Sequence, residues 1–159
     1  MLFRSRSIVA NRSEFEYFLS QKATLPDIVC IQETFLNKTD TVFNIDGYTM
    51  ERVDRESGTR GGVATLIRLG LSYTRLRNPT SLEAVVVRVK LRSGNEKLMD
   101  DHNMVALNTG AGTYLRRTGE QLSHLDVAMA TTNIARVANW MVSDETMGSD
   151  HFLIEITLN

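Results

Sequence analysis

Four residues combine a reactive side chain with a setting that could use it: Glu33, Asp126, Asp150 and His151. Glu33 closes the apolar run that ends Cys30-Ile31-Gln32-Glu33-Thr34. A carboxylate at the mouth of a buried strand suits Mg2+, which takes one or two protein carboxylates and fills its remaining positions with water and phosphate oxygens. The alternative is a solvated acid at a strand end. Asp150 and His151 stand side by side in Gly148-Ser149-Asp150-His151, just before a hydrophobic stretch. An imidazole serves as acid or base near neutral pH, and a neighbouring acid can orient or tune its partner. The alternative is a polar turn, since Gly, Ser and Asp all form turns. Asp126 is a single acid in the otherwise apolar segment around Leu125 and Val127. Buried, it needs a partner such as an imidazole N–H, whose tautomer it would fix; on an edge strand it would simply face water.

Arg52, Arg55 and Arg60 surround Gly58 and Gly61, and Arg116 and Arg117 follow Tyr114 and Leu115. Either group could contact phosphates or form ordinary solvated loop charge. His102 and His124 read as surface residues. No phosphate-binding loop, dinucleotide fingerprint, zinc spacing or nucleophile elbow is present. A single cysteine, Cys30, excludes an internal disulfide and a cysteine-built zinc site, and its apolar neighbours favour a core thiol over a nucleophile.

These side chains must be positioned by a chain of 159 residues, a length that suits a single domain, 1–159. Hydrophobic residues at 42% and charged residues at 23% exclude a disordered or low-complexity chain. With a net charge of −1, nucleic-acid binding would have to rest on a local basic patch. No signal peptide or membrane span is apparent, so a soluble, intracellular protein with no membrane partner is expected.

Ser13–Lys22 predicts a helix, with Ser13 and Glu16 in a capping-box pattern and Phe15, Phe18, Leu19 and Lys22 on one face. Asp27–Gln32 predicts a strand buried on both faces. Tyr48–Val53 alternates in part, and further strands are predicted over Val63–Arg68, Leu71–Leu76, Leu82–Arg92, Met104–Asn108, Thr113–Arg116, His124–Met129, Val137–Val142 and His151–Leu158, with a helical turn at Thr131–Ala135. Many short antiparallel strands and few helices give an α+β class, arranged as two sheets flanked by helices. One local conflict stands out. Ser93-Gly94-Asn95 calls for a hairpin partner, yet the residues that follow, Glu96 to Asn103, are polar and do not alternate.

Pro26-Asp27-Ile28-Val29-Cys30-Ile31-Gln32-Glu33-Thr34 resembles the QET motif of the endonuclease/exonuclease/phosphatase superfamily, and Ser149-Asp150-His151 resembles its closing SDH motif. Gly47-Tyr48, Arg60-Gly61-Gly62-Val63-Ala64 and Ser123-His124-Leu125-Asp126 fit between them in order. The chain is most similar to the apurinic-type endonuclease domain of non-LTR retrotransposons, the kind that precedes a reverse transcriptase. The resemblance implies a four-layer α/β sandwich and a DNA-nicking enzyme using Mg2+, with Mn2+ as the alternative ion. It implies a nuclear location, DNA as substrate and a reverse transcriptase domain as partner in the parent element. It maps Glu33 and Asp150 to metal carboxylates, His151 to the histidine facing the scissile phosphate and Asp126 to the acid that orients it.

The sequence also departs from that pattern. Where the family's first strand carries a catalytic asparagine, Leu2–Ser7 has none and places an arginine near its position. The family's active-site tyrosine and its GDFN motif have no counterpart between Gly94 and Leu107. The break falls near Glu96–Lys97, where the hairpin was left without a partner. The reading is therefore an internally shortened domain lacking central strands, from a decayed element or a mis-spliced gene, with activity weakened or lost. The alternatives are a non-catalytic remnant and a phosphatase or phosphodiesterase of the same superfamily.

Overall fold

The computed structural model describes residues 1–40, 42–56, 60–78, 83–89, 104–114, 128–144, 146 and 150–158. Two compact units emerge, one built from Leu2–Leu91 and the other from Arg92–Thr146 and Asp150–Asn159.

In the first unit β1 (Leu2–Arg4) pairs in parallel with β2 (Ile28–Gln32). A parallel pair needs a crossover, and the chain between them holds α1 (Arg12–Ser20). β4 (Val63–Arg68) runs antiparallel to β2 on its other side, and β3 (Tyr48–Val53) runs antiparallel to β4. The order is thus β3-β4-β2-β1. Register sets the core: Val29 lies opposite Leu66 and Ile31 opposite Ala64, and all four side chains are buried. Ile28, Cys30 and Gln32 keep partial exposure, so β2 has one drier face rather than two equivalent ones. Burial nevertheless pushes the Cys30 thiol above its ordinary pKa, against a smaller opposing effect of its hydrogen bond with Thr65. A core thiol, not a nucleophile, is what such a shift describes.

The helix differs from its expected start. It begins at Arg12, with Asn11 at the cap and no side-chain capping bond. The Asn11 amide is engaged elsewhere, donating to the Ser5 carbonyl at 2.6 Å. Ser13 therefore lies inside the first turn, and Glu16 accepts from Arg12 Nε at 2.8 Å instead of closing a capping box. Of the expected apolar face, Phe15 and Leu19 are buried, while Phe18 and Lys22 are only half-buried.

β5 (Tyr73–Leu76) and β6 (Val86–Val89) form an antiparallel hairpin. Its polar side chains tie it to β3: Tyr73 Oη donates to Glu51 at 2.9 Å and Arg75 Nη1 at 2.7 Å. β6 covers only part of the Leu82–Arg92 expectation; Leu82, Lys90, Leu91 and Arg92, with Ser93-Gly94-Asn95 and the break near Glu96–Lys97, lie outside the described residues.

In the second unit β7 (Met104–Ala106) pairs antiparallel with β8 (Met129–Thr131), which leads directly into α2 (Thr132–Ala135). β9 (Ala138–Val142) pairs antiparallel with β10 (Ile154–Leu158). Strand β8 begins at Met129, the last residue of the expected strand His124–Met129, of which residues 124–127 lie outside the described residues. The expected alternation from His151 also breaks. Leu153 and Ile154 are both fully buried, because the regular ladder begins only at Ile154. Leu153 precedes it and accepts the Ser143 N–H at 2.8 Å. Several antiparallel pairings and, among the described residues, two short helices make the chain α+β. No helix among the described residues is long and apolar enough to cross a membrane.

Candidate active site

Strand β2 delivers Glu33 to an abrupt bend. Glu33 and Phe35 both take φ +54°, a left-handed conformation that costs an L-residue roughly 1–2 kcal/mol. Main-chain bonds on two sides hold it there. The Glu33 carbonyl accepts from Ser7 N at 2.9 Å and from Ser5 Oγ at 2.9 Å. On the other side Thr34 N donates to the Gly62 carbonyl at 3.2 Å and Phe35 N to the Gly61 carbonyl at 2.9 Å. Ser5 and Thr34 are fully buried. The bend thus consumes the backbone polar groups around Glu33 and projects its side chain from an over-determined turn. Strain retained in this way clusters at functional positions.

The glycines beneath this bend are required by their left-handed backbone, and Gly62 by space as well. Gly62 has φ +81°, and a Cβ there would lie 2.5 Å from Thr34 Oγ1; Gly61 has φ +102°, and a Cβ there would strike the Arg55 guanidinium. Glu83 completes the arrangement. Its Oε2 accepts from Gly62 N at 3.0 Å and from Arg55 Nη2 at 3.1 Å, and Arg55 Nε donates to its Oε1. Arg55's hydrogen bond holds the Glu83 carboxyl below the usual carboxylate range. In turn, Glu83 raises the Arg55 pKa through that bond and its charge, with a smaller contribution from the Glu33 carboxylate.

Of the arginines considered as phosphate contacts, Arg52 is committed internally. It donates to the carbonyls of Asp40 at 2.8 Å and Asn37 at 3.1 Å, and pairs with Asp54 at 3.3 Å. It pins the polar loop before β3. Arg55 is committed to Glu83. Arg116 and Arg117 lie outside the described residues.

In the second unit, Asp150 and His151 are adjacent just ahead of β10. His151 is buried, with 1% exposure. It forms an antiparallel bridge with Tyr114, whose ring centroid lies 4.6 Å from the imidazole at an interplanar angle of 47°. Next to this bridge, Phe152 N donates to the carbonyl of the fully buried Thr113 at 2.8 Å. The expected strand over Thr113–Arg116 is therefore, among the described residues, a single bridge at Tyr114. Asp126, His102 and His124 lie outside the described residues.

The whole of this arrangement is framed by one match. The model of the Endonuclease/Exonuclease/phosphatase family fits residues 11–151, most of the chain. The chain belongs to the Endonuclease/Exonuclease/phosphatase family. No curated protein matches it. The family comprises nucleases and phosphatases, whose shared substrate element is a phosphate ester. Glu33 and the Asp150–His151 pair fall inside the matched span. Among the described residues no three acids, histidines or cysteines gather as a metal cage.

Ser5, Glu83 and Tyr114 carry no motif in the sequence: Ser5 belongs to a segment lacking an asparagine, and Glu83 and Tyr114 fall within predicted strands. Their partners are 28, 21 and 37 residues away in sequence, at Glu33, Gly62 and His151, and no local pattern encodes such pairings.

Proposed function

We propose that this chain is the Mg2+-dependent DNA endonuclease domain of a non-LTR retrotransposon-type protein, shortened internally and weakened or inactive as a nuclease. The observation that carries the reading is Glu33: the glutamate of a QET segment, at the end of β2, locked in a left-handed bend by bonds from Ser5, Ser7 and the Gly61–Gly62 turn. The closing Ser149-Asp150-His151 segment at the far end of the family match supports it, as does the α+β class, which the four-layer sandwich refines.

By the resemblance, Glu33 and Asp150 offer carboxylates to the ion, His151 faces the scissile phosphate and Asp126 orients His151. When bound, Mg2+ supplies charge stabilisation to the phosphate and the leaving oxygen. Weakening follows from what is missing. Members of a catalytic unit act together, so losing several removes orders of magnitude in rate. DNA and the parent element's reverse transcriptase are the proposed partners, and the nucleus the proposed location.

Nicking of supercoiled plasmid in Mg2+ tests this reading. The 159-residue chain is expected to give no detectable nicking. A chain carrying Arg4→Asn and a GDFN-bearing segment inserted between Glu96 and Lys97 is expected to nick, and Glu33→Ala is expected to abolish that activity. Glu33-dependent nicking by the unrepaired chain would overturn the loss of activity. A folded, repaired chain that cleaves phosphomonoesters but not DNA would overturn the endonuclease assignment.

A further inference from the structure

We propose that the open edge of β9 is a dimer interface: two copies of this chain pair their β9 strands antiparallel about a two-fold axis at Trp140, with Arg136 of each copy set against Asp144 of the other. Dimerisation through this edge is independent of catalysis and of the metal reading of Glu33.

Three features of the second unit carry it. First, the edge is open. Among the described residues β10 is the one neighbour of β9. Ser143 N donates to the Leu153 carbonyl, which fixes the residues that exchange hydrogen bonds along the ladder. Asn139 and Met141 bond to Thr157 and Glu155 of β10, so the main-chain groups of Ala138, Trp140 and Val142 point outward. Second, the edge is unprotected. Exposed edges are blunted by charge, proline or a bulge. Ala138–Val142 has no charged residue and no proline, and its ladder runs without a bulge. Met141, 53% exposed, shares a face with exposed Asn139. Third, the edge is complementary to itself. Arg136 stands four residues before Trp140 and Asp144 four residues after it. Both are exposed, and among the described residues neither side chain has an ion-pair partner. A two-fold pairing uses the same patch on both copies. Centred on Trp140, it sets Ala138 against Val142 of the second copy, Asn139 against its Met141 and Arg136 against its Asp144, each twice. The outward groups of Ala138, Trp140 and Val142 are then the ones that exchange hydrogen bonds across the axis. A parallel pairing would instead bring Arg136 to Arg136 and Asp144 to Asp144. The charge pattern thus selects a second copy in one orientation. Pairing at an edge this short buries little area, so association in the micromolar range is expected.

Sedimentation equilibrium of the full chain at micromolar concentrations tests the interface. The wild type is expected to dimerise reversibly. Arg136→Glu and Asp144→Arg are each expected to weaken dimerisation about tenfold, since each turns two exposed attractive pairs into two repulsive ones. The double variant Arg136→Glu/Asp144→Arg restores opposite charges and is expected to dimerise like the wild type. Register has its own readout. Mild oxidation of a mixture of Asn139→Cys and Met141→Cys chains is expected to give the mixed disulfide ahead of either homodimer, identified by peptide mass mapping. A wild type that stays monomeric overturns the second copy as occupant, even where an added strand peptide binds β9. Dimers that ignore both charge reversals, or that the double variant does not restore, overturn this interface, and preferential homodimer disulfides overturn its register.

Discussion

Tyr114 and His151 face each other across an antiparallel bridge, their rings 4.6 Å apart and tilted by 47°. The contact joins a residue with no evident motif to the histidine of the closing one. Aromatic contacts of this kind contribute about 0.5–1.5 kcal/mol beyond area burial. Here the ring also covers an imidazole that is only 1% exposed. Tyr114→Ala is expected to destabilise the chain by about 2 kcal/mol, combining the ring contact with lost burial. It is also expected to speed carbethoxylation of His151 by diethylpyrocarbonate, read by peptide mass mapping. Tyr114→Phe retains the ring and should react like wild type. Equal reactivity of all three proteins would refute a covering role.

The bend at Glu33 stores backbone strain, and strain at a functional position can be relieved at the expense of function. Glu33→Gly is expected to stabilise the chain by about 0.5–1 kcal/mol in urea denaturation, since glycine accepts φ +54° without penalty. Gly62→Ala is its converse: at φ +81°, with Thr34 Oγ1 2.5 Å from the new methyl, it should cost at least about 2 kcal/mol. Gly70→Ala, at φ +91° with no atom within 4 Å, should cost only about 1 kcal/mol. A Glu33→Gly protein less stable than wild type would contradict the strain argument.

Tyr48 gives the fold a sensitivity to alkali. Its hydroxyl donates to the Pro26 carbonyl at 2.8 Å. Burial pushes its pKa up from 10.0 to about 12, against the opposing effect of Arg68 and aided by Asp27. A pKa raised on folding contributes stability that is fully present below the unfolded value and lost as pH rises through the folded one. Wild-type stability attributable to Tyr48 should therefore fall between pH 10 and about 12. Tyr48→Phe loses a hydrogen bond worth about 1 kcal/mol at neutral pH, but its melting temperature should decline less steeply across that window. Parallel declines in the two proteins would rule out Tyr48 as the titrating group.

The amino-acid sequence by itself determined the α+β class, the strand Val63–Arg68 to the residue, the partly alternating run Tyr48–Val53 that forms β3, and Glu33 at the mouth of a buried strand. These are local properties: apolar runs, alternation and turn formers fix an element without reference to what it packs against. The same locality explains its misses. The capping box at Ser13 failed because the helix begins earlier, at Arg12, and places Ser13 inside the first turn, and the alternation before β10 failed because Leu153 seals the core ahead of the ladder. Only the tertiary structure decided that Ser5 and the Gly61–Gly62 turn hold Glu33 in a left-handed bend, that Glu83 claims Arg55 and that Tyr114 covers His151. Each is a hydrogen bond, ion pair or ring contact between residues distant in sequence. Such pairings arise when folding removes water from both partners and leaves each to satisfy the other.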